Sequence, residues 1–172
     1  MKLGLITIGQ SPRRDFTDDV TDLFPEGVEI MRRRGVKDVR EGRVQDFRCS
    51  RCYDTVLLLM NGTALAGTLH GFPGLLEVLD PLLAPGGQIL VDSSILTPRP
   101  EPGTFPEQAW EEDYPGELQY QLEFRGLRGA PFPQLFLDPE TLGALSHGAG
   151  WETEVVWRGG DGEYLARLER RR

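Results

Sequence analysis

Three features of the sequence predict an α/β fold whose mostly parallel sheet is covered by helices on both faces. Continuous apolar runs, LGLITIG, DTVLLLMNG and GQILVDSS, are typical of strands that are buried on both faces of a parallel sheet. Segments with helical spacing of apolar residues separate the last two runs, and strands that alternate with helices are typical of this architecture. Near the C-terminus, two alternating runs joined by GGDG predict an antiparallel hairpin.

The N-terminal third opens with a predicted strand over residues 3–9 that ends at Gly9. Residues 15–24, DFTDDVTDLF, place apolar side chains four positions apart and acidic residues in the first turn, so they predict an amphipathic helix. The next segment, PEGVEIMRRRGV over residues 25–36, fits either a helix or a short strand. The sequence leaves that alternative open.

The middle of the chain gives clearer patterns. Residues 54–62 predict a buried strand that ends at Gly62, and residues 72–83 predict a helix that is stopped by APGG. Residues 87–94, GQILVDSS, predict the next buried strand. Residues 97–116 are rich in proline, glycine and acidic side chains, and we expect a loop or lid there.

The last third predicts three elements. Residues 116–124, GELQYQLEF, alternate strictly and predict a half-buried strand. Asp138 followed by Pro139 is the pattern of a helix N-cap and first helical residue, with glycines at the helix exit. Residues 151–159 and 162–169 predict the terminal hairpin. The chain of 172 residues is therefore expected to form one domain, residues 1–172.

Charge and composition exclude several classes of partner. The formal net charge of −8 is unfavourable for contacts with phosphate backbones or anionic membranes, so we expect no nucleic-acid partner. No run approaches the length of a membrane span and the first residues do not resemble a secretory signal, so we expect a cytoplasmic protein without a membrane partner. Cys49 and Cys52 form a single C-x-x-C without a second ligand pair, and we expect two loop thiols and no metal site.

From about residue 22 to residue 168 the sequence resembles class I methyltransferases that use S-adenosyl-L-methionine. The likeness lies in GVEIMRRRGVKDV, YDTVLLLMNG, LAPGGQILVDSS, GELQYQLEFRG and GEYLARLE. The resemblance implies a Rossmann-like, mostly parallel sheet with a final antiparallel hairpin. It also implies S-adenosyl-L-methionine as the cofactor.

The first 30 residues are similar to a different family. The string LGLITIGQSPRRD resembles the start of the AroM family, whose fold is of the aspartate/glutamate racemase type. Together, the two resemblances predict that the N-terminal part of the methyltransferase fold is truncated or replaced, so that the sheet is one strand short. We therefore expect an exposed sheet edge beside LGLITIG that favours a homo-oligomer.

The methyltransferase resemblance assigns a cofactor site at the carboxyl ends of the strands. It places Gly9 at the turn after the first strand and Asp22 where an acid binds the ribose hydroxyls. The G-x-G-x-G turn of the family is absent, and the spacing from Gly9 to Asp22 is shorter than the roughly 20 positions between the glycine turn and the acid in dinucleotide-binding motifs. Arg43 stands where the family offers an acid to the adenine, with Asp46 as a substitute. These departures predict weak or lost cofactor binding.

The same resemblance places four further residues at the site. Asn61 and Gly62 close a strand where donor and acceptor meet, so they are assigned to the cofactor site. Asp92 and Ser93 close the next strand and are expected to line the substrate pocket. No catalytic residue is assigned, because methyl transfer depends mainly on the alignment of nucleophile and sulfonium.

The function implied is methyl transfer from S-adenosyl-L-methionine to an unidentified small molecule. Two alternatives stay open from the sequence. One is an AroM-type protein, although racemase chemistry needs two opposed acid/base groups that Cys49 and Cys52 do not supply. The other is a non-catalytic remnant or binding module that has kept the sheet and lost the methyl donor.

Overall fold

A computed structural model of the chain describes residues 3–7, 35, 44–96, 114–124 and 126–171. The helix predicted at 15–24, the alternative at 25–36 and residues 97–113 of the predicted loop lie outside the described residues. In the described ranges no helix is long and apolar enough to cross a membrane.

A five-stranded sheet forms the body of the described fold. Its order is β1 (Leu3–Thr7), β2 (Tyr53–Leu59), β3 (Leu83–Ser94), β9 (Glu163–Arg170) and β8 (Trp151–Arg158). The pairs β1–β2 and β2–β3 are parallel, whereas β9 is antiparallel to both β3 and β8. The predicted Rossmann-like sheet with a terminal antiparallel hairpin is thus confirmed.

The carboxyl ends of the parallel strands meet at one edge of this sheet. Thr7 is paired with Leu59, and Leu58 with Val91, so Asn61 and Asp92 lie at the same edge, as the sequence predicts. Gly9 comes two positions after the end of β1 and lies outside the described residues. At this edge, the described residues therefore include the ends of β2 and β3 but not the turn after β1.

Two helices cover one face of the sheet. Helix α1 (Gly71–Leu79) buries its apolar side chains at helical spacing, and a 3₁₀ turn, Asp80–Leu82, leads from it into β3. Helix α2 (Pro139–Gly148) packs beside it. The common core consists of buried side chains from these helices and the facing strands: Val56, Leu58, Phe72, Leu75, Leu76, Leu79, Ile89, Val91, Leu142, Tyr164, Ala166 and Leu168. Helices on the other face stay a prediction.

The N-terminus of α2 is capped as the sequence predicts. The Asp138 carboxylate oxygen Oδ1 accepts hydrogen bonds from the backbone N–H groups of Glu140 and Thr141, both at 2.9 Å. Pro139 occupies the first helical turn, where no donor is required. The cap satisfies two of the amide groups that every helix start leaves without a partner.

Residues 116–124 differ from the single strand that was predicted. They form two short strands, β4 (Glu117–Tyr120) and β5 (Glu123–Phe124), which belong to two separate small sheets. Strand β4 pairs with β7 (Phe132–Leu135), and β5 turns back onto β6 (Leu127–Arg128) at Gly126, whose φ of 81° is in the left-handed region. The alternation predicts the strand character, but residues 121–122 belong to neither strand, and the two halves pair with different partners.

The state of the two cysteines differs from the prediction. The structure pairs Cys49 with Cys52 in a disulfide, so the prediction of two free loop thiols is wrong. Two residues, Ser50 and Arg51, separate the cysteines, and Arg51 has a left-handed backbone. The Cα atoms of the two cysteines lie 6.0 Å apart, a separation that a disulfide spans. Self-association through an exposed sheet edge stays a prediction; β1 and β8 are the outer strands of the described sheet.

Candidate functional site

The end of β2 forms a tight turn with an unusual backbone. Met60 and Asn61 have φ angles of 67° and 61°, so two consecutive residues other than glycine adopt the left-handed conformation. This conformation costs about 1–2 kcal/mol per residue, although asparagine adopts it more readily because its amide bonds locally. Backbone strain of this kind persists where the surrounding structure holds it, and it concentrates at functional sites.

Asp92 holds this turn from the neighbouring strand. Its carboxylate accepts hydrogen bonds from the backbone N–H of Met60 at 3.1 Å and of Gly62 at 2.9 Å. Both oxygens are used, one for each donor. The carboxylate predicted to line a substrate pocket therefore fixes the path of the strand-end turn.

The turn also needs glycine at position 62. A Cβ atom there would lie 2.5 Å from Cβ of Leu58 and 3.2 Å from a methyl group of Val91. Gly62 starts a 3₁₀ turn, Gly62–Ala66, which carries the chain over the edge of the sheet towards α1. The residue thus permits a close approach between the turn and the two strands below it.

The side chain of Asn61 makes its hydrogen bonds inside the protein. Its Nδ2 donates to the carbonyl oxygen of Leu135 at 3.3 Å, and its Oδ1 lies 3.1 Å from the Ser93 hydroxyl and 3.3 Å from the Thr63 hydroxyl. The cofactor role predicted for Asn61 stays a prediction. In the described structure its amide connects the turn to β3 and β7.

Ser93 and Thr63 form the buried part of the same network. Both side chains are almost completely buried, and the Thr63 hydroxyl donates to the Leu135 carbonyl at 2.9 Å. Ser93 accepts a hydrogen bond from the backbone N–H of Leu137, also at 2.9 Å. These bonds link the ends of β2 and β3 to the last residue of β7 and to the residues after it, so Ser93 lies beneath the edge and stabilises it.

A second polar group lies next to this network, around the start of α2. The hydroxyl of Tyr114 donates to Asp138 Oδ2 at 2.7 Å and accepts from the Asp138 N–H at 2.9 Å. Thr141 also donates to Oδ2. Tyr164, which is fully buried, donates to the Leu137 carbonyl at 2.7 Å.

Burial and hydrogen bonding shift the pKa values of these groups in opposite directions. Burial raises the pKa of Tyr164 far above its usual range, and burial is also the main cause that raises the pKa of Tyr114. Burial by itself would raise the pKa of Asp138, but the hydrogen bonds from Thr141, Tyr114 and Glu140 outweigh it and lower that pKa. Both tyrosines therefore stay protonated at neutral pH, while Asp138 is ionised.

The sequence-based site divides into two groups. Asn61, Gly62, Asp92 and Ser93 come together at the carboxyl edge of β2 and β3, whereas Gly9 and Asp22 lie outside the described residues. Sequence reasoning did not single out Met60 and Thr63. Met60 follows LLL as if the strand continued, so no sequence signal marks it as exposed. Thr63 directly follows Asn-Gly, and that turn signal could have identified it.

The described residues contain no cluster of three or more histidine, cysteine, aspartate or glutamate side chains placed to hold a metal ion. The two histidines are 77 positions apart in the sequence. His70 precedes α1, and His147 lies near the end of α2, where its Nε2 is 3.3 Å from a guanidinium nitrogen of Arg171.

Comparison with known proteins gives matches among solved structures, whereas no family model and no curated protein matches the chain. A methyltransferase dependent on S-adenosylmethionine from Bacteroides fragilis, solved with S-adenosyl-L-homocysteine, is 32% identical to the chain. The match covers 99% of this chain and 74% of that one, with a TM-score of 0.74.

Two more distant structures show the same fold. The DhpI–SAH complex is 14% identical, with 98% of this chain and 76% of that chain covered and a TM-score of 0.58. The sugar N-methyltransferase KedS8 from Streptoalloteichus sp. ATCC 53650 is 20% identical, with 99% and 81% covered and a TM-score of 0.52.

The comparisons do not support the AroM resemblance of the first 30 residues. The match to the Bacteroides fragilis enzyme covers 99% of the chain and so includes the N-terminal segment. A short string such as TIGQSPR carries less information than an alignment of nearly the whole chain. By its identity to that enzyme over this length, the chain belongs to the S-adenosylmethionine-dependent methyltransferases.

Proposed function

We propose that this chain binds S-adenosyl-L-methionine at the carboxyl edge of β1, β2 and β3 and methylates a small molecule. The observation that carries the proposal is the strained turn at Met60 and Asn61, which Asp92 holds at that edge. Ligands of open α/β sheets bind beyond the carboxyl ends of the strands. Because the chain belongs to the S-adenosylmethionine-dependent methyltransferases, we infer that the ligand at this edge is S-adenosylmethionine.

On the β2 and β3 side, the proposal is supported by an edge whose shape is already held by hydrogen bonds within the chain. The polar side chains there are engaged in internal hydrogen bonds, so the edge is rigid before any ligand binds. Gly9 and Asp22 are proposed to complete the site, with Gly9 at the turn after β1 and Asp22 at the ribose hydroxyls. When bound, the sulfonium of S-adenosylmethionine supplies an activated methyl group.

The role of the chain in methyl transfer is alignment. A nucleophilic nitrogen or oxygen must approach the methyl carbon opposite the sulfur, and a fixed geometry supplies a large part of the rate. The network below the turn keeps the ends of β2 and β3 in register with the segment after β7. The acceptor is not identified, because the structure whose name includes a sugar substrate is only 20% identical to the chain.

Titration calorimetry with S-adenosylmethionine and S-adenosylhomocysteine tests the cofactor part of the proposal. We expect saturable binding that is weak, because the G-x-G-x-G turn is absent and Arg43 replaces an acid. Asp22→Asn should weaken the binding by about 1–3 kcal/mol, the range for a charge-assisted hydrogen bond. Asp19→Asn, which makes the same chemical change three positions earlier, is the matched control.

Three outcomes of this titration would each change part of the proposal. No heat from either ligand at millimolar concentration would reject the methyltransferase proposal and leave the non-catalytic remnant. Submicromolar affinity would show that the missing glycine turn is not limiting. Equal weakening by Asp22→Asn and Asp19→Asn would remove Asp22 from the site.

A further inference from the structure

Met60 combines two unfavourable features in one residue. It has a left-handed backbone with φ of 67°, and its apolar side chain is 73% exposed, the highest value among the large apolar side chains described as exposed. Glycine or asparagine would adopt this backbone more readily, and a polar side chain would suit the exposure better. A residue that is poorly suited to its position in both respects indicates a role outside folding.

The polar side chains around Met60 have partners within the chain. Asn61 bonds to Leu135, Thr63 and Ser93, and both oxygens of Asp92 accept backbone N–H groups. The side chain that the turn presents outward is therefore the thioether of Met60. Methionine is flexible and polarisable, so it adapts to apolar and aromatic ligand surfaces.

We propose that Met60 forms an apolar wall of the acceptor site and that Asp92 is the residue that positions it. The acceptor then carries an aliphatic or aromatic group next to its nucleophilic nitrogen or oxygen. This inference rests on the proposed function, because it takes the carboxyl edge of β2 as the place where the acceptor approaches the cofactor.

The direction of the Met60 side chain follows from the backbone of the turn. Asp92 binds the N–H groups on both sides of Asn61, and this double contact fixes the left-handed conformation of both Met60 and Asn61. Without it, the turn would relax towards ordinary backbone angles, and the Met60 side chain would point elsewhere. Asp92 thus acts on the acceptor through Met60 and does not need to touch it.

NMR of protein labelled with ¹³C at the methionine methyl groups tests the proposal. The chain has only Met1, Met31 and Met60, so the Met60 signal is assigned by comparison with Met60→Leu. Protein saturated with S-adenosylhomocysteine is titrated with benzylamine and phenol as apolar probes and with ethanolamine as the polar control. We expect benzylamine or phenol to shift the Met60 signal saturably through the ring current, and ethanolamine to leave it unchanged.

Variants at position 60 separate the apolar wall from the fold. Met60→Asn relieves the backbone cost, so its Tm should rise by about 2–4 °C, while its affinity for benzylamine should fall at least tenfold. Met60→Leu retains the apolar surface and should retain the affinity for benzylamine within about threefold. Each variant is compared at an S-adenosylhomocysteine concentration that saturates it, so that an effect of the turn on cofactor affinity does not enter the benzylamine comparison.

Asp92→Asn tests the positioning role. It should reduce the benzylamine-induced shift of the Met60 signal and lower the affinity for benzylamine in the wild-type background. In the Met60→Asn background it should cause no further loss, because the side chain that it positions is already absent. An equal loss in both backgrounds would show that Asp92 supports the site only generally and would overturn its assigned role.

The outcomes distinguish this inference from the proposed function. If S-adenosylhomocysteine does not bind to the wild type, the proposed function fails, and this inference fails with it. If it binds and no apolar probe shifts Met60, only the inference is overturned. If S-adenosylhomocysteine alone shifts Met60 and the probes add nothing, Met60 belongs to the cofactor side and the acceptor assignment is wrong.

Discussion

The hydroxyl oxygens of Thr63 and Ser93 lie 2.9 Å apart in the buried space where β2 and β3 end. They are separated by 30 positions in the sequence. Thr63 also bonds to Leu135, the last residue of β7, and Ser93 bonds to Leu137, two positions after that strand. This pair joins three parts of the chain below the candidate site. Removing either hydroxyl should therefore lower the free energy of unfolding.

Ser93→Ala should destabilise the fold by about 1–3 kcal/mol, because the buried N–H of Leu137 loses its acceptor. The measurement is the free energy of unfolding from urea titrations. Ser94→Ala is the control, since it removes the same hydroxyl one position later, where none of the described contacts is a side-chain hydrogen bond. Equal effects of the two changes would contradict the importance of the buried pair.

Gly62→Ala should destabilise the fold by roughly 1–3 kcal/mol, since the added methyl group meets Leu58 at 2.5 Å and the turn must shift. Gly74→Ala places the same methyl group in α1, where no atom lies within 4 Å, and should stabilise the helix by roughly 0.5–1 kcal/mol. Thermal unfolding of both variants measures whether each change lowers or raises the Tm. A neutral Gly62→Ala would show that the turn moves without cost.

Asp138→Ala should cost about 1 kcal/mol at neutral pH through loss of the N-cap, and the bond to Tyr114 is lost as well. The folded pKa of Asp138 is lowered, so its contribution to stability is complete above the unfolded value of about 3.9 and is lost as the pH falls through the lower folded value. Unfolding free energies between neutral and acidic pH should converge for wild type and variant. Asp161→Ala, in the turn between β8 and β9, is the control with no expected change. Curves that stay parallel down to acidic pH would contradict the role of the Asp138 carboxylate.

Tyr164 should make the fold sensitive to alkali. Because its folded pKa is raised above the unfolded value of about 10, the unfolded state loses the phenolic proton first, and stability falls as the pH rises above about 10. Tyr164→Phe should reduce this dependence, at the cost of the hydrogen bond to Leu137, about 0.5–1.5 kcal/mol at neutral pH. Urea titrations at increasing alkaline pH measure both effects. The same alkaline slope in both proteins would refute the contribution of Tyr164.

Several parts of the fold could be predicted because their signals are local. The apolar runs at residues 54–62 and 87–94 specify buried strands, and Asp138 with Pro139 specifies a helix start. Burial depends on the period of apolar residues, and a cap depends on neighbours two or three positions away. The sequence thus located the carboxyl edge that carries Asn61 and Asp92.

Other features could not be predicted because they depend on contacts between distant positions. The sequence placed Asn61, Asp92 and Ser93 near a ligand, whereas the structure directs their hydrogen bonds to Leu135, Met60, Gly62 and Leu137. The partner of a buried polar group is whichever donor or acceptor the fold brings within about 3 Å, and these partners come from distant parts of the chain. Exposure of Met60 likewise depends on the turn that Asp92 fixes from 32 positions away.

The sequence by itself determined the buried strands at 54–62 and 87–94, the helices that precede β3 and follow Asp138, the terminal hairpin, and the resemblance to methyltransferases. Only the tertiary structure decided that the polar residues of LMNG and VDSS bond to one another and that Met60 is left facing outward. The physical reason is that apolar periodicity is a property of residues close together in the sequence. The pairing of polar groups, in contrast, is fixed only when parallel strands come into register.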